Sequence, residues 1–156
     1  MTIDLALDLG TTTGWAMLRD DGSTESGTWN FNRKRGDGAG IRFLRLHAKL
    51  DELVGHFRFT IRRLIYELPA GHYKSGAADD CIKGLVSHVQ SWCEKNNIPC
   101  EGYSPAEVKK VATGKGNANK DQVLAAAIAK WPAVNIVDHN QADALWILEL
   151  SKEERS

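Results

Sequence analysis

The chain lacks most of what would mark a secreted, membrane or metal-ribbon protein. Its three cysteines, Cys81, Cys93 and Cys100, stand at spacings of 12 and 7 with no Cys-x-x-Cys pair, which argues against a disulfide framework or a zinc ribbon. No apolar run approaches the ~18 residues of a membrane span. The opening MTIDLALDLG carries Asp4 and Asp8 and no preceding basic stretch, so no signal peptide is expected. Internal repeats, low-complexity segments and dividing linkers are absent as well. Charge of one sign is also missing: 20 Lys and Arg meet 20 Asp and Glu, a balance that by itself speaks against a polyanionic partner. What remains is 156 residues, 42% of them apolar, enough for one domain with a single core that needs no metal or disulfide to fold.

The apolar pattern reads as an α/β chain. Short runs over residues 3–9, 14–18 and 25–31, with Asp20-Asp21-Gly22 as one turn, predict a three-stranded antiparallel meander. Helical periodicity follows over 41–57 and 77–96, and further strands are expected over 62–68 and 98–103. Three helices over 105–112, 120–131 and 139–150 close the chain. Ser104 before Pro105 with Glu107, and Asp138 with Gln141, have capping-box form. The order β-β-β-α-β-α-β-α-α-α predicts a mixed five-stranded sheet with helices on both faces, a single domain over 1–150 and a polar tail over 151–156.

Four segments carry candidate chemistry. Asp8-Leu9-Gly10-Thr11-Thr12-Thr13-Gly14 puts a carboxylate at a strand end before a Gly/Thr turn, which suits a phosphate and its cation or, equally, a tight hairpin. Glu67 ends a second apolar strand just before Pro69, where a carboxylate either meets solvent or holds a metal. Asp143 lies near the start of an apolar helix between Ala142 and Ala144. It either favours the helix dipole or joins a site, with His139 and Asn140 on its face and Asp138 at the N-cap. Two strand ends and one helix start, all acidic, converge at one edge of such a sheet, where two hard cations can sit ~3.5–4 Å apart for in-line phosphoryl transfer. The fourth segment runs from Lys109 to Lys120 and holds Lys109, Lys110, Lys115 and Lys120 with no acid. It suits phosphate contact or a solvated connector, and its spacing is not a P-loop.

These residues resemble the RuvC-type Holliday junction resolvases over nearly the whole chain. Ala6-Leu7-Asp8-Leu9-Gly10 with Thr13-Gly14-Trp15-Ala16 is similar to the family's first acidic strand and second-strand start, and Ile65-Tyr66-Glu67 with Pro69 to its second acidic strand. Val108-Lys109 through Thr113-Gly114-Lys115-Gly116 to Ala118-Asn119-Lys120 resembles its basic loop, and Ala142-Asp143-Ala144-Leu145 its last acidic helix. The resemblance implies a ribonuclease H-like fold and a homodimer that nicks four-way DNA junctions in pairs with two Mg²⁺ or Mn²⁺ ions per site. It implies no nucleotide cofactor and no membrane, and a setting in the cytoplasm of a bacterial or phage-infected cell. Asp8, Glu67 and Asp143 are the implied metal ligands, and Lys120 and Lys109 take the places of the two functional lysines. The family's further acid or histidine before the last aspartate is replaced here: Asn140 stands three residues before Asp143, and His139 is favoured as fourth ligand ahead of Asp138 and Asn140. The helix over 77–96 is a candidate dimer surface, although core packing explains its apolar stripe equally well. His72 and Tyr73 are candidates for stacking on an unpaired base.

Two other classes share features. Actin-like and sugar-kinase ATPases also open on a strand ending Asp-x-Gly-Thr-Thr, but they need a second phosphate loop, and no second Asp-x-Gly motif of that kind occurs. A non-catalytic branched-DNA module would have no need of the intact acid set. The zero net charge, finally, sums a segregated chain. Arg33, Lys34, Arg35, Arg42, Arg45, Lys49, Arg58, Arg62 and Arg63 face only Asp37, Asp51 and Glu52 between residues 33 and 63. Arg33, Lys34 and Arg35 join the four loop lysines as an expected DNA surface, whose binding should weaken steeply with salt.

Overall fold

Side-chain alternation decides what the first strand does. In β1 (Thr2–Asp8), Ile3, Leu5 and Leu7 enter one apolar cluster, while Asp4, Ala6 and Asp8 take the opposite face. The computed structural model describes residues 1–69 and 76–154. β2 (Thr12–Arg19) and β3 (Thr24–Asn30) complete the expected antiparallel meander. β4 (Thr60–Glu67) lies parallel to β1, and β5 (Cys100–Tyr103) parallel to β4, giving the order β3-β2-β1-β4-β5. Leu7 pairs with Tyr66, so Asp8 and Glu67 end neighbouring strands at one edge.

Helices cover both faces. α1 (Ile41–Gly55) and α2 (Ala77–Lys95) pack on the face of Ile3, Leu5 and Leu7. The apolar stripe of α2 is spent there: Leu85, Val89, Trp92 and Cys93 are buried, and the Trp92 indole donates to Asp51 Oδ1 at 2.9 Å. α3 (Pro105–Thr113), α4 (Lys120–Lys130) and α5 (His139–Glu153) cover the face of Ala6, Ala16 and Ile65. No described helix is long and apolar enough to cross a membrane.

Two local expectations are corrected. The last helix does not stop before residue 151: α5 continues to Glu153, Ser151 is fully buried, and its carbonyl accepts a 2.9 Å bond from Arg63. The Ser104–Glu107 box forms, but only half of the one at Asp138 does. Asp138 Oδ1 accepts from the Gln141 N–H at 2.8 Å, whereas the Gln141 side chain accepts from the Val137 N–H at 2.9 Å and donates to Ser26 Oγ at 3.0 Å. The buried amide thus ties the start of α5 to β3 instead of returning to its own cap.

Close approach of α5 to β2 depends on one glycine. A Cβ on Gly14 would lie 1.8 Å from the Asn140 carbonyl oxygen, far inside contact distance, so any side chain there lifts the start of α5 away from the sheet. Gly14→Ala should therefore lose about 1–3 kcal/mol in urea unfolding; an unchanged midpoint would show that α5 does not sit this close.

Candidate active site

The turn after β1 is closed by a buried hydroxyl. Thr13, fully buried, donates from Oγ1 to the Gly10 carbonyl at 2.8 Å and accepts from the Gly10 N–H at 3.3 Å. This threonine is thus the hairpin clasp, and it holds the end of β1 where Asp8 leaves the sheet. Glu67 leaves β4 on the same face, in step with Ile65. α5, laid across β1 and β2 on fully buried Ala142 and Ala144, brings Asp143 over both.

Carboxylate oxygens of Asp8, Glu67 and Asp143 lie within 4.8 Å of one another. The electrostatics record that crowding. Burial, then the charges of Asp143 and Glu67, push the Asp8 carboxyl well above the usual carboxylate range. Burial and Asp143 raise Glu67 to about 7, against the pull of Lys109 and Lys120. Burial raises Asp143 to about 6, against Lys120 and His139, and a hydrogen bond shared with Asp8 holds it down further. A donor set made wholly of oxygen, with negative charge only partly offset, fits a hard divalent cation.

The structure separates the other expected residues. Lys109 on α3 and Lys120 at the first position of α4 both act on the acids. Lys110, in the last turn of α3, and Lys115, in the loop between α3 and α4, are exposed. The ring of His139 faces α4: Nδ1 lies 3.3 Å from the Lys120 carbonyl and Nε2 3.8 Å from Asp121. Its charge reaches Asp143, but its nitrogens are not in the three-carboxylate group. Asp138 serves as N-cap. His72 and Tyr73 lie outside the described residues. The basic stretch from 33 to 63 is less free than its count suggests. Arg62 and Arg63 bond the buried Asp4 at 2.8–3.4 Å near the opposite end of β1, Arg45 pairs with Asp37 at 2.8 Å, and Lys49 with Glu52 at 3.7 Å.

One supporting feature escaped the sequence reading although its signal was present. Asn119 and Gln122 form a complete capping box, with bonds of 2.8 and 2.9 Å, that fixes the backbone of Lys120. Asn-x-x-Gln before an apolar period is the same pattern as at Ser104.

Comparison with known proteins matches this arrangement to one group. The chain is 30% identical over 149 residues to a crossover junction endodeoxyribonuclease RuvC of Ruegeria pomeroyi, covering 92% of this chain and 86% of that protein. The RuvC structure of Thermus thermophilus superposes with a TM-score of 0.70 at 18% identity, covering 99% of this chain and 95% of that one. The yeast mitochondrial Holliday junction resolvase Ydc2 gives 0.58 at 17% identity, over 96% of this chain and 76% of that one. No family model matches.

The raised carboxyls carry a stability consequence whose sign is opposite to that of a salt-bridged acid. Glu67 at about 7, against 4.5 when unperturbed, makes the metal-free fold lose stability as pH rises from about 4.5 through 7, because the folded state binds the extra proton. Glu67→Gln should thus raise the stability of the metal-free protein near pH 8 by roughly 1–3 kcal/mol. Thermal unfolding in EDTA checks this; a variant less stable than the parent at that pH would contradict it.

Proposed function

The chain belongs to the RuvC family of crossover junction endodeoxyribonucleases, and from that premise we propose that it cuts four-way DNA junctions by paired, symmetric nicks. The observation that carries the reading is the triad of Asp8, Glu67 and Asp143 within 4.8 Å, flanked by two lysines, in a chain of this family. A solved relative, Thermus thermophilus RuvC, is described in complex with Holliday junction substrate, which supports branched DNA as the substrate here.

In this reading Asp8, Glu67 and Asp143 would hold two Mg²⁺ or Mn²⁺ ions. Bound there, such ions supply activation of a water and stabilisation of the leaving 3′-oxygen. Lys120, fixed by the Asn119 cap, and Lys109 set positive charge against the phosphate as it becomes pentacovalent. His139, whose ring joins the starts of α4 and α5, would serve as the fourth ligand. Lys110 at the end of α3 and Lys115 in the loop after it extend the phosphate contacts, and His72 and Tyr73 stack on an unpaired base. Paired nicks require two such sites, which a homodimer provides. Cys81 and Cys93 are buried and, like Cys100, unpaired, which supports work in a reducing cytoplasm of a bacterial or phage-infected cell. The intact acid set favours catalysis over a binding-only role.

The test is incubation with a synthetic four-way junction and, separately, linear duplex, in Mg²⁺, Mn²⁺ or EDTA. Paired nicks confined to the junction are expected, lost in EDTA and reduced at least about 100-fold by Asp8→Asn. ATP hydrolysis without any DNA cleavage would overturn the reading.

A further inference from the structure

An acid sits inside the most basic exposed loop of the chain, and by charge alone it opposes any polyanion that the loop meets. β3 runs parallel to β1 across the meander, with Asp8 paired to Gly14 and Gly14 to Thr28. The loop over residues 32–40 therefore leaves the sheet at the edge where Asp8 and Glu67 end, two strand spacings away, or about 10 Å.

No regular structure holds this loop; Asp37 does. Its Oδ2 accepts the Lys34 N–H at 2.7 Å and an Arg45 guanidinium N–H at 2.8 Å. Its carbonyl accepts from Arg33 at 2.8 Å, and its own N–H donates to the Lys34 carbonyl at 3.0 Å. Arg45 reaches back with its other arm to the Asn32 carbonyl at 2.8 Å. Gly36, at φ +89°, makes the reversal between them in the left-handed region. The Lys34 N–H and Arg45 hold the Asp37 carboxyl below the usual range, so the brace is ionised at neutral pH. The consequence is a division of labour among four cations. Arg45 is engaged within the loop by both arms and Arg33 by one N–H, whereas the side chains of Lys34 and Arg35 are exposed and carry no bond among the described residues.

We propose that Asp37 is a positioning residue for DNA binding: it folds residues 32–40 so that Lys34 and Arg35 project from the acidic edge as contacts to phosphates on a junction arm. The inference rests on the nuclease reading above and adds to it which cations touch DNA and what aims them. It also separates geometry from charge, because the two predict opposite signs for the same substitution. Removing an anion beside a polyanion should tighten binding on charge grounds, whereas losing the brace should loosen it.

The experiment measures affinity for a four-way junction and for linear duplex in EDTA across a range of salt, for the unsubstituted protein and for Asp37→Ala, Asp37→Asn, Lys34→Ala and Arg35→Ala. Lys34→Ala and Arg35→Ala should each reduce the slope of log affinity against log salt by about 1. Asp37→Ala should weaken binding at least about threefold and also flatten the slope, although it makes the protein more positive. Asp37→Asn, which keeps an acceptor for the Lys34 N–H but loses the ion pair, should weaken it less. In the cleavage assay the Asp37→Ala defect should fall on KM and not on kcat. Binding by the Asp37 variants as tight as or tighter than the parent's, or a defect confined to kcat, would overturn the proposal. Normal slopes for Lys34→Ala and Arg35→Ala would do so without needing the Asp37 variants to fold. If the unsubstituted protein binds no DNA at all, the nuclease reading itself fails; if it binds and cuts while the variants behave normally, only this inference does.

Discussion

Three like charges forced together at one edge of a sheet are the constraint around which this fold is arranged. Asp8, Glu67 and Asp143 come from a first strand, a fourth strand and a last helix, so nothing local in the chain brings them together. The parallel register of β1 and β4 aligns the first two, and the absent side chain at Gly14 lets α5 descend far enough to add the third. Burial raises all three carboxyls above their ordinary range, and repulsion from the neighbouring acids adds to it at Asp8 and Glu67. A divalent cation held by the three acids would relieve that cost.

The same strand shows the opposite solution a few residues away. Asp4 lies on the same face of β1 as Asp8 and is fully buried, yet two guanidiniums, Arg62 and Arg63, bond it at 2.8–3.4 Å. Arg63 also reaches the Ser151 carbonyl and thereby fastens the end of α5 to the sheet. One end of the strand is neutralised from within. At the other end Lys109 and Lys120 pull on the acids without closing an ion pair among the described residues, and negative charge is left over. A buried acid that served stability alone would be matched as Asp4 is; the mismatch at Asp8 is what makes this edge the candidate site.

Much of this was legible in the sequence because it rests on local patterns. Apolar runs ending in Asp8 and Glu67, the small residues around Asp143 and the Ser104 cap all act within a few residues of themselves, and they located the strands, the helices and the acidic edge. What stayed hidden depends on partners far along the chain. Gln141 fits a capping box by spacing, but a hydroxyl 115 positions away, on Ser26, takes its amide. Counting cations from 33 to 63 overstated the free charge, since Arg62 and Arg63 are claimed by Asp4, on another strand. The stripe on α2 has a helical period in the sequence, but that its buried side chains join a core with α1 and the sheet depends on residues far along the chain. The orientation of His139 was equally beyond reach, because α4, not its own helix, supplies what it faces.

In this reading the crowded carboxyls are a cation site held partly protonated until the ion arrives. Calorimetric titration with Mn²⁺ in buffers of different ionisation enthalpy, near pH 6 and near pH 8, tests it directly by counting the protons released on binding. The account predicts proton release near pH 6, tighter binding near pH 8, and at least about tenfold weaker binding in Asp143→Asn. Binding that is independent of pH, releases no protons and survives Asp143→Asn unchanged would contradict it.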